Sequence, residues 1–285
     1  MEVHRPGDAP SFLRLAGPLL ERDEARNQLP LGIAGTLVRN PNAHDVVRFW
    51  VVLDGDEPVA AALRTEPHNL VLGDPGSEAA LEPLVDAIVD DDPGVPGVVG
   101  NVPYVEDVAD LIASRGARIA ERGLAQGVYE LTKVQDVPSV AGSARAATRL
   151  DRELLIAWLT AFSYEADPHP EDDVERLGRT LDTRFASEDA GFWLWEHEGK
   201  PVSLAGFSGP TPTGIRVGPV YTPPEHRRRG YATMLVADLS RWLLEQGHRA
   251  CFLFTDLANP TSNRIYVDIG YERVCDALEF RFRDG

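Results

Sequence analysis

A turn rich in arginine and glycine lies in the second half of the sequence, between a β-type run and an amphipathic helix. The run Gly214–Thr222 enters the turn, and a helix predicted over Tyr231–Gln246 leaves it. The arginines at 227–229 supply positive charge, while Gly230 and Ala232 keep side-chain bulk away from the first backbone amides of the helix. This arrangement suits a pyrophosphate, although a basic surface turn that only caps a helix would show the same arginines.

A second motif follows at a fixed distance from the first. The strand predicted at Ala250–Thr255 leads into the segment N-P-T-S-N-R-I-Y, residues 259–266, and then into Gly270-Tyr271. Together the two motifs resemble the signatures of the GNAT superfamily of acyltransferases, Q/R-x-x-G-x-G/A followed by N-x-x-[AS]-x-x-x-Y-x-x-x-G-[FY]. The resemblance covers Trp193–Phe282 closely.

The resemblance implies that acetyl-CoA is the acyl donor and that no metal takes part. The strand Val217–Thr222 would be splayed from its neighbour near Ala250–Phe254, with the pantetheine arm in the gap and the pyrophosphate on the amides of residues 228–233. Arg228 would occupy a backbone position that many family members give to glycine. The residues implied to contact acetyl-CoA or to order its loop are Val220, Tyr221, Thr222, Arg227, Arg228, Arg229, Gly230, Tyr231, Ala232, Thr233, Asn259 and Asn263.

Tyr266 is the candidate catalytic residue. It resembles the family tyrosine that lies beside the thioester sulfur and protonates the departing thiolate. A phenol with a pKa near ~10 is protonated at neutral pH and can donate a proton. The alternative is a tyrosine that fills the core from an amphipathic helix.

The predicted acceptor is a primary amine, on a small molecule or a peptide, which must lose a proton before it attacks. Glu165, Asp167 and His169 are candidate bases because family members often bind the acceptor with the loop after the first helix. The alternative for each of them is an exposed loop residue, and a water chain could also serve as the base. The acetyl group would pass by direct attack, without a covalent enzyme intermediate, and a backbone N–H near Tyr221 would hold the oxyanion. The alternative function is a non-catalytic acyl-CoA-binding or sensor protein.

The first half of the sequence echoes the second. Phe49-Trp50 and Pro58-Val59 recur as Phe192-Trp193 and Pro201-Val202. We therefore predict an α/β fold with two GNAT-like domains, each a central mixed, mostly antiparallel sheet flanked by helices and finished by a strand hairpin. The predicted boundaries are 1–136, a linker at 137–143, and 144–285.

The copy at 1–136 lacks the phosphate-binding signature. Asp74 and Glu78 stand at the corresponding place, where phosphates would need hydrogen-bond donors. This half therefore resembles the degenerate partner domain of tandem GNAT proteins.

Composition narrows the class of protein. A net charge of −17 over 285 residues argues against a nucleic-acid partner, and two cysteines exclude a disulfide framework. The sequence has no apolar run of the ~20 residues needed to span a bilayer and no secretion signal at its amino terminus. We therefore expect a cytoplasmic monomer or homodimer that has no membrane partner.

Overall fold

The computed structural model describes residues 1–166 and 174–285. Strands in the first half are β1 (Glu2–His4), β2 (Val47–Asp54), β3 (Glu57–Thr65), β4 (Leu70–Leu72), β5 (Gly97–Asn101) and β6 (Arg118–Leu131). Helices in this half are α1 (Ala9–Leu20), α2 (Gln28–Arg39), α3 (Leu81–Asp91) and α4 (Tyr104–Gly116). Local sequence explains several boundaries: Asp8 caps α1 by accepting a hydrogen bond from the amide of Ser11, and Gly55 takes a positive φ in the β2–β3 turn.

The second half repeats this order of elements. Its strands are β7 (Ser143–Ala146), β8 (Gly191–His197), β9 (Lys200–Ser208), β10 (Gly214–Tyr221), β11 (Ala250–Asp256) and β12 (Glu272–Asp284). Its helices are α5 (Arg152–Ala166), α6 (Val174–Phe185), α7 (Tyr231–Glu245) and α8 (Pro260–Ile269). Among the described residues, the helices flank a mixed sheet whose neighbouring strands are antiparallel except for β4–β5 and β10–β11. This confirms the predicted fold class.

The strands form one continuous 12-stranded sheet in the order β1-β2-β3-β4-β5-β12-β6-β11-β10-β9-β8-β7. The hairpin predicted at the end of each half is wrong, because β6 and β12 are each a single long strand. They pair with each other from Glu272↔Glu130 to Asp284↔Arg118. In addition β12 pairs with β5, and β6 pairs with β11. Each half therefore completes the sheet of the other half, while the proposed domain boundaries remain a prediction.

Side-chain alternation assigns the helices to the two faces of the sheet. On β10, Ile215 and Val217 belong to the core cluster under α7 and α8, so Arg216 between them points to the opposite face. Phe252 on β11 also points to that opposite face, where it packs with Ala25 from the α1–α2 connection. The helices α1, α2, α5 and α6 therefore share one face, and α3, α4, α7 and α8 share the other.

Candidate active site

A wedge-shaped gap opens between β10 and β11. The two parallel strands pair only at Gly214↔Ala250, Ile215↔Cys251 and Arg216↔Phe252. Beyond these pairs β10 bulges against β9 between Val217 and Val220, while β11 continues along β6 to Asp256.

The splay predicted for Val217–Thr222 is confirmed, although Ala250–Phe252 on the facing strand stay paired. The gap leaves one backbone edge of β10 without a strand partner, and such an edge can pair with an extended ligand.

The turn after β10 presents backbone amides to any group at the wide end of this gap. Gly230, with a φ of +82°, is the N-cap of α7, and no side chain caps this helix. The first hydrogen bond of the helix runs from the amide of Met234 to the carbonyl of Gly230, at 3.1 Å. The amides of residues 231–233 therefore have no acceptor within the helix and can bind an anion. Arg228 adopts a φ of +60°, which confirms the prediction that it occupies a glycine-like backbone position.

The three arginines of the turn differ in their surroundings. Arg227 donates from Nε to the carbonyl of Thr222 at 2.8 Å, and its Nη2 lies 2.6 and 2.7 Å from the two carboxylate oxygens of Glu165. Arg228 and Arg229 are exposed and make no ion pair with any residue that the structure describes. Arg227 thus braces the turn, while Arg228 and Arg229 are available to an incoming anion.

The two asparagines order the connection between β11 and α8. The side-chain oxygen of Asn259 accepts a hydrogen bond from the amide of Ser262 at 3.1 Å and so caps α8. Asn263 donates from Nδ2 to the carbonyl of Asp256 at 3.1 Å. Its Oδ1 is buried and has no hydrogen-bond partner among the described residues. An acceptor atom of this kind is a place for a donor from a ligand.

Tyr266 lies on the α7/α8 face of the gap. It is 8% exposed and belongs to the same buried cluster as Val217 and Leu253, the first residues beyond the paired part of each strand. Its ring meets that of Tyr271 edge-on, with centroids 5.9 Å apart. Burial raises the pKa of Tyr266 to about 12, because the apolar surroundings disfavour the phenolate. Tyr266 is therefore a protonated donor at neutral pH.

Of the three candidate bases, the structure places one. The carboxylate of Glu165 is held by Arg227, whereas Asp167 and His169 lie outside the described residues. Sequence reasoning missed two further charged side chains beside the gap, Arg184 and Arg216. The available signal was an arginine at 216 inside an otherwise apolar strand, between Ile215 and Val217.

The corresponding place in the first half is filled by polar side chains. There β4 and β5 pair at Leu70↔Val98 and Val71↔Val99. Just beyond them, the carboxylate of Asp74 lies 3.3 Å from Nδ2 of Asn101 and 3.5 Å from a guanidinium nitrogen of Arg26. The first half thus has a carboxylate, partnered by Arg26 and Asn101, where the second half has free amides.

Residues 1–166 and 174–285 contain neither a candidate metal site nor a candidate membrane-spanning helix. Within these ranges no three histidine, cysteine, aspartate or glutamate side chains are grouped so that they could hold a metal ion. None of the helices described there has the length and apolar character that crossing a membrane requires.

Comparison with known proteins agrees with this geometry. Residues 152–271 match the acetyltransferase (GNAT) family. A GNAT-family acetyltransferase from Colwellia psychrerythraea is similar over 99% of this chain and 100% of its own, with 12% identity and a TM-score of 0.62. A GCN5-related N-acetyltransferase from Sphaerobacter thermophilus is similar over 98% of this chain and 94% of its own, with 19% identity and a TM-score of 0.60.

A tandem GNAT protein from the clavulanic acid biosynthesis pathway is similar over 99% of this chain and 98% of its own, with 15% identity and a TM-score of 0.57. A search of curated proteins finds no significant match. The structural likenesses establish the fold over the whole chain. The family match covers residues 152–271, which include the gap, the arginine turn and Tyr266.

Proposed function

We propose that this protein transfers an acetyl group from acetyl-CoA to a primary amine. One observation carries the proposal: the gap between β10 and β11 has uncapped helix amides at its wide end and the protonated phenol of Tyr266 on one side. GNAT acetyltransferases use acetyl-CoA, and these are the features that the donor requires. Its phosphates need N–H groups and positive charge, its extended arm needs a free backbone edge, and its leaving thiolate needs a proton.

The residues present fit acetyl-CoA. The amides of Tyr231, Ala232 and Thr233 would face the pyrophosphate, and Arg228 and Arg229 would supply counter-charge. The free edge of β10, around Val220 and Thr222, would pair with the pantetheine arm, while Asn259 and Asn263 hold the adjoining loop. The carbonyl of Thr222 already accepts a hydrogen bond from Arg227, so one of its two lone pairs remains for this pairing.

The proposed reaction is direct transfer. The neutral amine attacks the thioester carbon, so that a C–N bond forms, the nitrogen releases one proton to solvent, and the C–S bond breaks. A backbone N–H near Tyr221 would stabilise the negative charge on the carbonyl oxygen. The electron pair of the broken bond goes to sulfur, and the Tyr266 hydroxyl then donates its proton to the thiolate. The phenolate recovers a proton from solvent before the next turnover.

A free-thiol release assay with acetyl-CoA and a panel of small and peptide amines tests the proposal. We expect thiol release that depends on an amine, together with the acetylated amine as the product. Calorimetry with acetyl-CoA is the companion measurement. Acetyl-CoA binding without turnover of any amine would contradict the enzyme proposal and favour an acyl-CoA sensor instead.

A further inference from the structure

The arginine at position 216 lies at the closed end of the gap. Arg216 is the last residue of β10 that pairs with β11, and its side chain points to the α5/α6 face. Its Nη1 is buried and has no hydrogen-bond partner among the residues that the structure describes. Its Nη2 lies close to the backbone of Gly209, where an added Cβ would come within 3.1 Å of it. A guanidinium placed in this way has donors to spare for a ligand.

A second arginine lies close by on the same face. Arg184, in the last turn of α6, places its guanidinium carbon 5.0 Å from the ring centroid of Phe192. Burial, with a further contribution from the charge of Arg216, lowers the pKa of Arg184 to about 10. Burial likewise lowers the pKa of Arg216. Arginine stays protonated in proteins, so both side chains are cationic at neutral pH, and the charge of Arg216 disfavours that of Arg184.

Within the part of the chain that the structure describes, no carboxylate forms an ion pair with Arg184 or Arg216, although the chain as a whole carries a net charge of −17. Keeping two desolvated cations together without a counter-ion costs stability, and such arrangements concentrate at functional sites. Both side chains are part-buried rather than fully enclosed, so they keep some accessible surface. A ligand with a negative charge would therefore find unused donors here, among them Nη1 of Arg216.

The position of the pair indicates which anion. If the pyrophosphate lies at the wide end of the gap, near the α7 amides, then the acyl end of the donor points toward the closed end, where Arg216 begins the splay. A group bound by Arg184 and Arg216 therefore lies beside the acyl carbon, on the face formed by α5 and α6. Arginine pairs bind carboxylates through paired, charge-assisted N–H···O bonds.

We propose that Arg184 and Arg216 bind a carboxylate carried by one of the two reactants. The reactant is either an acceptor with both an amine and a carboxylate, as in an amino acid, or an acyl-CoA whose acyl chain ends in a carboxylate. This inference rests on the proposed function, since it takes the gap as the place of acyl transfer. It narrows the proposed substrates from amines in general to reactant pairs in which either the acceptor or the acyl-CoA carries a carboxylate.

Matched reactant pairs test each source separately. For the acceptor we use L-phenylalanine against phenethylamine and L-lysine against cadaverine, which differ only in the carboxylate. For the donor we use succinyl-CoA against butyryl-CoA, which have acyl chains of equal length. In either the acceptor comparison or the donor comparison, we expect the reactant with the carboxylate to have a KM at least about tenfold lower than its matched partner, since a charge-assisted bond contributes ~1.5–3 kcal/mol. An equal KM for both members of every pair would overturn the proposal.

Variants then assign the preference to the arginines. Arg216→Gln and Arg184→Gln should each reduce the preference for the carboxylate probe to about threefold or less, through KM rather than kcat. Arg241→Gln, which removes an exposed arginine that pairs with Asp238 on α7, is the matched control and should leave the preference unchanged. If both Arg216→Gln and Arg184→Gln keep the preference for the carboxylate probe, the assignment to these arginines is contradicted.

A stability measurement separates a binding role from a structural one. Without a ligand, removing an unpaired desolvated cation should leave the melting temperature equal or higher, and the carboxylate probe should raise the melting temperature of the wild type only. A lower melting temperature in both variants would mean that the arginines hold the fold. A different result would contradict the proposed function itself, namely that acetyl-CoA does not bind. If simple amines are acetylated and a carboxylate has no effect, only the carboxylate inference is refuted.

Discussion

Glu165, at the end of α5, and Arg227, in the turn after β10, form a two-oxygen ion pair with distances of 2.6 and 2.7 Å. The guanidinium of Arg227 also donates to the carbonyl of Thr222 and lies 5.8 Å from the ring centroid of Tyr221. A helix on one face of the sheet is thereby tied to the turn proposed to bind phosphate. This arrangement changes what can be expected of both residues.

Glu165→Gln tests whether this carboxylate is the catalytic base. Both carboxylate oxygens of Glu165 are already engaged by the guanidinium of Arg227, and the pair is partly exposed. We expect kcat to change by no more than about fivefold, the effect of losing a surface ion pair worth ~1 kcal/mol or less. Steady-state kinetics with the same amine decides the question. A loss of ~10²-fold or more would restore Glu165 as the base.

Arg229→Ala tests the position of the pyrophosphate. Arg229 is exposed and makes no ion pair with any described residue, so its proposed partner is the ligand. We expect acetyl-CoA binding to weaken by ~1.5–3 kcal/mol, the range for charge-assisted hydrogen bonds. Calorimetry measures the change in affinity. Arg241→Ala, which removes an exposed arginine from α7, is the control. Unchanged affinity in Arg229→Ala and also in Arg227→Ala would show that the phosphates bind elsewhere.

Tyr266→Phe separates catalysis from binding. The substitution removes one oxygen and keeps the edge-on ring contact with Tyr271. We expect kcat to fall by at least ~10²-fold, because the thiolate loses its proton donor, while acetyl-CoA affinity and melting temperature change little. The loss should be smaller with an acyl donor whose thiol leaves easily. Full turnover would mean that solvent is the acid, and joint loss of binding and stability would assign Tyr266 to packing.

The raised pKa of Tyr266 also predicts a pH dependence. Burial shifts this pKa from 10.0 to about 12, so the neutral phenol stabilises the fold below pH 10 and that contribution is lost as the pH rises through about 12. Over this window the wild type should lose more stability than Tyr266→Phe, as measured by denaturant unfolding at each pH. Both proteins contain Tyr271, and burial also raises the pKa of this residue, so its titration affects both stability curves. Parallel curves for the two proteins would contradict a buried neutral phenol.

The chain should bind one molecule of acetyl-CoA. The second half has an open gap and free amides, whereas the matching place in the first half holds Asp74 with Arg26 and Asn101. A carboxylate at that place repels phosphate. Calorimetry should give a stoichiometry of one per chain, and Arg229→Ala should weaken the whole signal. Two sites of comparable affinity would refute a degenerate first half.

Local features of the site follow from the sequence. Helix α7 and the strand before it have clear periodicity. The family resemblance predicts that Arg228 takes a glycine-like conformation, as its φ of +60° confirms. The splay of β10 from β11 also follows, though only through the family resemblance.

Long-range contacts do not follow from the sequence. A strand that folds back as a hairpin and a strand that pairs with the other half have the same local pattern, so the exchange of β6 and β12 has no signature in the sequence. The ion pair between Arg227 and Glu165 joins residues 62 positions apart in the chain, and periodicity carries no information on such pairs.

The exchanged strands also determine when the fold can form during translation. The edge of β5 has no second neighbour until the ribosome has synthesised Glu272–Asp284, and β11 depends on a strand, Arg118–Leu131, made long before it. The sheet of the amino-terminal half therefore keeps one open edge until the last strand of the second half has been synthesised. If the two halves were made as separate polypeptides, they would have to associate through β6 and β12 before either half could complete its sheet.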